Sequence, residues 1–84
     1  MHEGAVCREV MDIVTQATRA NDLTKIWEIT VTVGPCSCVN EGQLNFYFDV
    51  AKPGTCMEDA VIRMERDETL TGVSQMYVKS IRGD

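Results

Sequence analysis

The alternation of apolar and polar side chains along residues 25–33 constrains the fold more than any other feature of the sequence. The two alternating sets are Trp27, Ile29, Val31 and Val33 against Glu28, Thr30 and Thr32. A period of two among β-branched and aromatic residues is typical of a strand with one buried and one solvated face. Because a lone strand cannot bury its apolar face, the chain must supply further strands and a covering layer.

A helix is predicted on each side of this strand. Along residues 4–20, apolar side chains recur at the spacing of one helix face, at Val6, Val10, Ile13, Val14, Ala17 and Ala20. Asn40, with Gln43 three residues later, forms a capping pair for a second helix over residues 41–51. The apolar stripe of that second helix comprises Leu44, Tyr47, Phe48 and Ala51.

Two further strands complete the predicted sheet. Residues 60–65 and 76–81 have strand character, and residues 66–74 between them suit a hairpin connection. The sequence therefore predicts an α+β fold in the order α-β-α-β-β. It would be a two-layer sandwich, with both helices on one face of a three-stranded sheet and the other face wet. The order of the strands within the sheet stays open.

Composition excludes several classes of protein. The chain has 84 residues, of which 13 are acidic and 8 are basic, for a formal net charge of −5. The basic residues are scattered on an acidic chain, which disfavours nucleic acid as a partner. No apolar run is long enough to cross a membrane, and the first residues lack the features of a secretory signal. The sequence thus predicts a cytoplasmic protein.

The single histidine and the cysteine spacing exclude the common enzyme and zinc sites. Because His2 is the only histidine, regular elements cannot provide a Cys-His or Ser-His-Asp arrangement, and no phosphate-binding glycine loop is present. The four cysteines contain no C-x2-C pair, which is the usual zinc spacing. They are Cys7, Cys36, Cys38 and Cys56. The chain is therefore predicted not to be an enzyme.

The first three residues carry the most specific chemistry. The amine of Met1, the amide and imidazole nitrogens of His2, and an amide or carboxylate donor of Glu3 could close adjacent chelate rings on one ion. The amine and the imidazole have pKa values of about 8 and about 6.5, so both readily lose a proton to a metal. Planar nitrogen donors suit Ni(II) or Cu(II) better than zinc. The alternative is an ordinary chain terminus, with Glu3 favoured by the helix dipole.

These residues also carry a resemblance to a known family. Met1-His2-Glu3 directly before an amphipathic helix resembles the start of HypA, the nickel-insertion accessory protein of hydrogenase and urease maturation. The likeness continues in order along the chain. The further segments that resemble the family are residues 26–34, 37–41, 44–49, 52–55 and 76–81.

The resemblance implies a nickel-binding domain that lacks one part. HypA proteins carry a zinc domain with two C-x2-C pairs between the last two strands, whereas nothing is inserted here between residues 65 and 76. We therefore expect residues 1–84 to be a single HypA-like nickel-binding domain without structural zinc. The family's nickel site implies Met1, His2 and Glu3 as ligands of Ni(II). It further implies a HypB-like GTPase, or the precursor of a [NiFe]-hydrogenase or urease, as the partner.

The cysteines have alternative interpretations. Cys7 lies one helical turn after Glu3, so its thiol could face the terminal site, but a small buried residue beside Val6 and Val10 is favoured. Cys36 and Cys38 form a compact pair that could add soft ligands, form a reversible disulfide or have no function. No role is assigned to Cys56.

A second hypothesis is that the chain has this fold but does not deliver metal. A HypA-like paralogue could act as a protein-interaction or regulatory module, since an acidic surface and a sheet with an open edge strand suit docking. An exposed edge strand could also pair two copies into a homodimer. Thermal stabilisation by Ni(II) would distinguish a metal-binding domain from such a module.

Overall fold

The computed structural model describes residues 3–35, 37–70 and 76–84, and these form two helices and three strands. The elements are α1 (Glu3–Ala20), β1 (Ile26–Val33), α2 (Glu41–Ala51), β2 (Val61–Arg66) and β3 (Met76–Gly83). The predicted α+β class and the order α-β-α-β-β are confirmed. The predicted element bounds agree closely with these ranges, as expected where periodicity and capping define an element locally.

The sheet has the order β2-β1-β3, so β1 is its central strand. β1 runs parallel to β2 and antiparallel to β3. The predicted hairpin between β2 and β3 is therefore wrong, because these two strands lie on opposite sides of β1. A parallel pair needs a crossover connection, which α2 supplies between β1 and β2. β3 then pairs with the remaining side of β1.

The core lies between the two helices and one face of the sheet. α1 contributes Val6, Val10 and Val14, and α2 contributes Leu44 and Phe48, all fully buried. α1 also contributes Cys7, and the sheet and the turns contribute the rest of the core: Ile26, Ile29, Val31, Val33, Val39, Met57, Ala60 and Ile62. Burial of each large apolar side chain stabilises the fold by about 1.5–3 kcal/mol. The predicted two-layer packing is thus present.

Trp27 does not lie in the core, contrary to the alternation along residues 25–33. Its side chain is 43% exposed, whereas Ile26 is fully buried. The register between β1 and β3 shifts between Ile26 and Glu28, which makes Trp27 the extra residue of a β-bulge. The indole N–H donates a hydrogen bond to Oδ2 of Asp84 at 3.2 Å. A bulge reverses the facing of the preceding residues, which explains the incorrect prediction.

The second face of the sheet is dry at its centre, although it was predicted to be wet. Thr30 and Thr32 on β1 are buried. Their neighbours across the sheet are Arg63 and Glu65 on β2, and Ser80 and Tyr77 on β3. Arg63 and Glu65 on β2 and Tyr77 on β3 flank the central threonines with long side chains, which shield them from water.

α2 buries a narrower stripe than its sequence indicates. Leu44 and Phe48 are buried, but Tyr47 and Ala51 are exposed together with Phe46 and Val50. α2 packs against both α1 and β2, and these contacts bury Leu44 and Phe48 while the rest of the predicted stripe stays exposed to solvent. On the described residues, neither helix is long and apolar enough to cross a membrane.

Candidate metal centre

Of the predicted nickel ligands, Glu3 lies at the start of α1. Glu3 is the first residue of α1 and is half-buried. Its carboxylate lies in the first helical turn, where the helix dipole favours negative charge. Met1 and His2 are outside the described residues, so Glu3 is the member of the predicted set whose position the structure provides.

The first turn of α1 packs against an aromatic ring of α2. A Cβ atom built on Gly4 would lie 3.6 Å from Cε1 of Tyr47, an ordinary van der Waals distance. Phe46 meets Tyr47 edge-on, with ring centroids 5.8 Å apart and an interplanar angle of 81°. The first turn of α1 therefore lies beside two aromatic side chains of α2.

A groove of about 610 Å³ runs between the two helices from this point. Its walls are mostly apolar, with Arg8 and Asp12 as the charged residues. The lining residues are Gly4, Cys7, Arg8, Met11 and Asp12 from α1, and Phe46, Tyr47, Val50 and Ala51 from α2. The groove therefore begins one residue after Glu3, next to the predicted metal site.

Cys7 has the properties of a packing residue. Its side chain is only 3% exposed and belongs to the hydrophobic core cluster. Burial raises the pKa of the Cys7 thiol above its ordinary value, so the neutral thiol is favoured. A cysteine binds a metal as the thiolate, and this environment opposes thiolate formation. The favoured interpretation of Cys7 as a small buried residue is consistent with this environment.

Cys38 lies in the loop after β1, and Cys56 lies in the turn after α2. Cys38 is an exposed free thiol, and Cys36 lies outside the described residues. Cys56 is a half-buried free thiol whose carbonyl accepts a hydrogen bond from the Ile26 N–H at 2.9 Å. Over residues 3–35, 37–70 and 76–84, no group of three or more metal-ligating side chains is arranged around an ion site. Met1 and His2 lie outside these ranges.

Arg66 holds the loop that carries Cys38, a role that no sequence motif indicates. Its Nη1 donates hydrogen bonds to the carbonyl oxygens of Gly34 and Ser37, both at 3.2 Å. The Ser37 N–H also donates to the Gly34 carbonyl at 3.1 Å. The end of β2 therefore stabilises the turn after β1, because the two strands are parallel neighbours and end at the same side of the sheet.

Two polar side chains of α2 fix that helix against β2. The Asn45 side-chain N–H donates to the Ile62 carbonyl at 2.8 Å, and Asn45 Oδ1 accepts from the Ile62 N–H at 3.0 Å. Glu41 Oε2 accepts a hydrogen bond from the Met64 N–H at 2.8 Å. These contacts set the position of α2 and hence of Tyr47 beside α1. Sequence patterns do not indicate these hydrogen bonds, since Asn45 and Glu41 lie off the apolar stripe of the second helix and are expected to face solvent.

Comparison with known proteins shows which family this chain matches. Residues 1–79 match the family described as hydrogenase/urease nickel incorporation, metallochaperone, hypA. The hydrogenase maturation factor HypA of Actinobacillus succinogenes is 37% identical over 62 residues, which is 74% of this chain and 55% of that protein. HypA of Methanothermobacter thermautotrophicus is 32% identical over 65 residues, 77% of this chain and 53% of that protein. The chain thus spans about half the length of the curated relatives it matches.

A solved structure has the same fold. The solution structure of the Ni metallochaperone HypA from Helicobacter pylori aligns with a TM-score of 0.81 and 15% sequence identity. The alignment covers 99% of this chain and 97% of that one. At this identity the similarity concerns the fold, and it supports the arrangement of two helices on a three-stranded sheet.

Proposed function

Because this chain belongs to the HypA family of hydrogenase and urease nickel-incorporation metallochaperones, we propose that it captures Ni(II) through its first residues and passes it to a client. The family consists of metallochaperones, so the prediction that the chain is not an enzyme is confirmed. One observation carries the nickel proposal. The family match begins at residue 1 and includes Met1, His2 and Glu3, the residues whose donor chemistry indicates a nickel site.

The donors would act as a chelate. The Met1 amine, the His2 amide nitrogen and the His2 imidazole are consecutive along the chain, so one ion can close adjacent rings with them. Glu3 is available as a fourth donor at the first position of α1. Strong nitrogen donors in a plane stabilise d8 Ni(II). Nickel is the cargo here, so the site must release it as well as bind it.

The surroundings of Glu3 support a site that is accessible to a partner. Tyr47 packs against Gly4, the residue that follows Glu3 in the first turn of α1. Cys7 is buried with a raised pKa, which leaves the terminal nitrogens and Glu3 as the donors we propose. Cys36 and Cys38 remain additional candidates, and Cys38 lies in the loop between β1 and α2.

The partner and the client of this chain are also proposed from its family. We expect a HypB-like GTPase, or the precursor of a [NiFe]-hydrogenase or a urease, to receive nickel from this chain. We also propose that residues 1–84 act as one nickel-binding domain without structural zinc. A cytoplasmic location would keep Cys7, Cys38 and Cys56, which are free thiols, in the reduced state.

Titration of Ni(II) into protein with an unmodified terminus tests the site. Binding of one ion per chain, with the weak visible absorption band of diamagnetic planar Ni(II), is the expected result. His2→Ala should abolish this band, and so should an added residue before Met1, because the first removes the imidazole and the second displaces the amine. Since His2 is the only histidine, no other imidazole can replace it.

Two control variants separate the terminal site from the thiols. Asp12→Asn alters another acid of α1 at the groove, and Cys38→Ser removes the exposed loop thiol. Both should retain the band and the affinity. A band that persists in His2→Ala but disappears in Cys38→Ser would place nickel on the loop cysteines. The absence of any nickel uptake by the unmodified chain would favour the interaction module.

A further inference from the structure

The sheet has a second face that lies away from both helices. The helices bury their apolar side chains against Ile29 and Val31 on the core face, and the strand register places the alternate residues on the opposite side. We call this opposite side the outer face. Its rows, from β2 through β1 to β3, are Val61, Glu28 and Arg82; Arg63, Thr30 and Ser80; and Glu65, Thr32 and Tyr77. Because the helices cover only the core face, a partner can reach the outer face without displacing either of them.

The outer face is positively charged, although the chain is acidic. Lys79, the extra residue of β3 at the register shift, has its Nζ 2.8 Å from Oε2 of Glu65, so it belongs to this face too. The outer face therefore carries three basic side chains and two acidic ones, whereas the whole chain has a formal net charge of −5. Lys79 and Glu65 neutralise each other. The surplus positive charge thus lies with Arg63 and Arg82, which have only Glu28 between them.

The two arginines share one carboxylate. Arg63 Nε donates a hydrogen bond to Oε2 of Glu28 at 2.8 Å, while Arg82 Nη1 lies 4.0 Å from Oε1 of the same residue, too far for a hydrogen bond. The side chains of Arg63 and Arg82 are 66% and 77% exposed, whereas that of Glu28 is 25% exposed. Two guanidinium groups thus converge from β2 and β3 on a recessed carboxylate. Such exposed ion pairs are weak in water, so both groups can bind a further carboxylate.

Exposed apolar side chains accompany the arginines. Val61 is 42% exposed, pairs with Glu28 across the sheet and lies two positions before Arg63 on the same face of β2. Tyr77, which is 43% exposed, lies at the other end of the outer face. Arginine and tyrosine are enriched in the surfaces where proteins bind one another. A run of phosphates would leave the apolar side chains uncovered and would be repelled by Glu28 and Glu65, so a protein segment suits this surface better than a nucleic acid.

We propose that the outer face binds an acidic segment of another protein. Because the guanidinium groups of Arg63 and Arg82 converge on one point, a single carboxylate of that segment binds both, and an apolar side chain beside it covers Val61. Forked, charge-assisted hydrogen bonds from arginine are stronger and more directional than those of a single ammonium group. The surface lies on the other side of the sheet from α1. Binding there does not depend on nickel and leaves the start of α1 accessible.

An NMR titration of the metal-free chain with a capped peptide of sequence Glu-Glu-Val-Glu-Glu tests the surface. The Nε–H signals of Arg63 and Arg82 and the methyl signals of Val61 should shift as the peptide is added. Arg82→Gln should weaken binding by about threefold or more, because it removes one of the two forks. Arg63→Lys should weaken binding to a similar extent although it keeps the charge, since an ammonium group cannot form a fork. Arg19→Gln is the matched control: it removes the same charge from an exposed arginine in the last turn of α1 and should bind as the wild type does.

Three outcomes would overturn the proposal. The first is the absence of any shift at millimolar peptide. The second is equal weakening by Arg19→Gln and Arg82→Gln, which would show a general effect of net charge. The third is tighter binding of inorganic tripolyphosphate than of the peptide at the same arginines, which would assign the outer face to phosphate groups. Melting curves verify that the variants fold, and Arg82→Gln removes no hydrogen bond between described residues, so its effect on binding reports the surface itself.

Discussion

The side chain of Asn45 forms hydrogen bonds with both backbone groups of Ile62, at 2.8 and 3.0 Å. A helix residue thus takes the place that a neighbouring strand would occupy along β2. This relationship joins the two layers of the domain by polar bonds as well as by apolar packing. It also holds α2 at the position where Tyr47 meets the first turn of α1.

Asn45→Ala should destabilise the fold. The change leaves the N–H and C=O of Ile62 without partners beside a helix, which costs about 1–3 kcal/mol in the free energy of unfolding. Urea denaturation measures this difference. Gln43→Ala, at an exposed position two residues earlier on the same helix, should change stability by less than about 0.5 kcal/mol. Equal stability of the two variants would show that the Ile62 groups are satisfied by water.

Gly83→Ala should also be destabilising, because the backbone approaches closely at this position. A Cβ atom there would clash with the Lys25 carbonyl oxygen and would lie 3.2 Å from the Ile26 Cα. Relief requires separation of β3 from β1, and overpacking of this kind costs about 1–3 kcal/mol. Gly4→Ala is the control, since its Cβ meets only ordinary contacts and alanine favours a helix. Thermal unfolding should show a lower Tm for Gly83→Ala and no decrease for Gly4→Ala.

Cys7 should react with alkylating reagents far more slowly than Cys38. Burial shields the Cys7 sulfur and raises its pKa, whereas Cys38 is exposed. Mass spectrometry of peptides after timed alkylation at pH 8 checks the order. Equal rates in the native protein would indicate that the start of α1 opens readily. In urea, where burial is lost, the two thiols should react at similar rates.

The raised pKa of Cys7 also predicts the sign of a pH effect. The folded state retains the thiol proton more strongly than the unfolded state, so this contribution to stability is complete below the unfolded pKa. It is lost as the pH rises through the folded pKa. Cys7→Ala should therefore show a weaker loss of stability at alkaline pH than the wild type. A wild-type and a variant with parallel stability curves above pH 9 would contradict this.

Tyr47→Ala should weaken nickel binding without unfolding the domain. The ring packs against Gly4, so its removal gives the first turn of α1, and Glu3 with it, more freedom to lose on chelation. We expect the affinity for Ni(II) to fall by about three- to tenfold, or about 1 kcal/mol. Isothermal titration calorimetry on untagged protein measures the change. Val50→Ala, at a more exposed position of the same groove, should bind nickel as the wild type does.

Much of the fold follows from local patterns. The stripe of Val6, Val10 and Val14 is buried as its helical spacing predicts, and Asn40 caps α2 by accepting a hydrogen bond from the Gln43 N–H. These features depend on residues three or four apart. The donor set of Met1, His2 and Glu3 was likewise recognisable from consecutive residues, and it remains a prediction.

Other features depend on contacts between distant parts of the chain. The exposure of Trp27 follows from a bulge against β3, and that of Tyr47 follows from the place of α2 at the side of the sheet. No periodicity contains this information, because a bulge is a property of two strands in register. The prediction of a hairpin between β2 and β3 was wrong because strand pairing, like a bulge, depends on contacts between distant segments.

Side-chain periodicity was thus sufficient to predict the number, type and order of the elements. The buried face of a helix or strand is defined by residues only a few positions apart in the sequence. The neighbour of each strand and the covering of each edge were decided by packing. Asn45 and Glu41 close one edge only because the crossover brings α2 alongside β2. Such pairings are selected by the free energy of the whole assembled sheet, which no single segment determines.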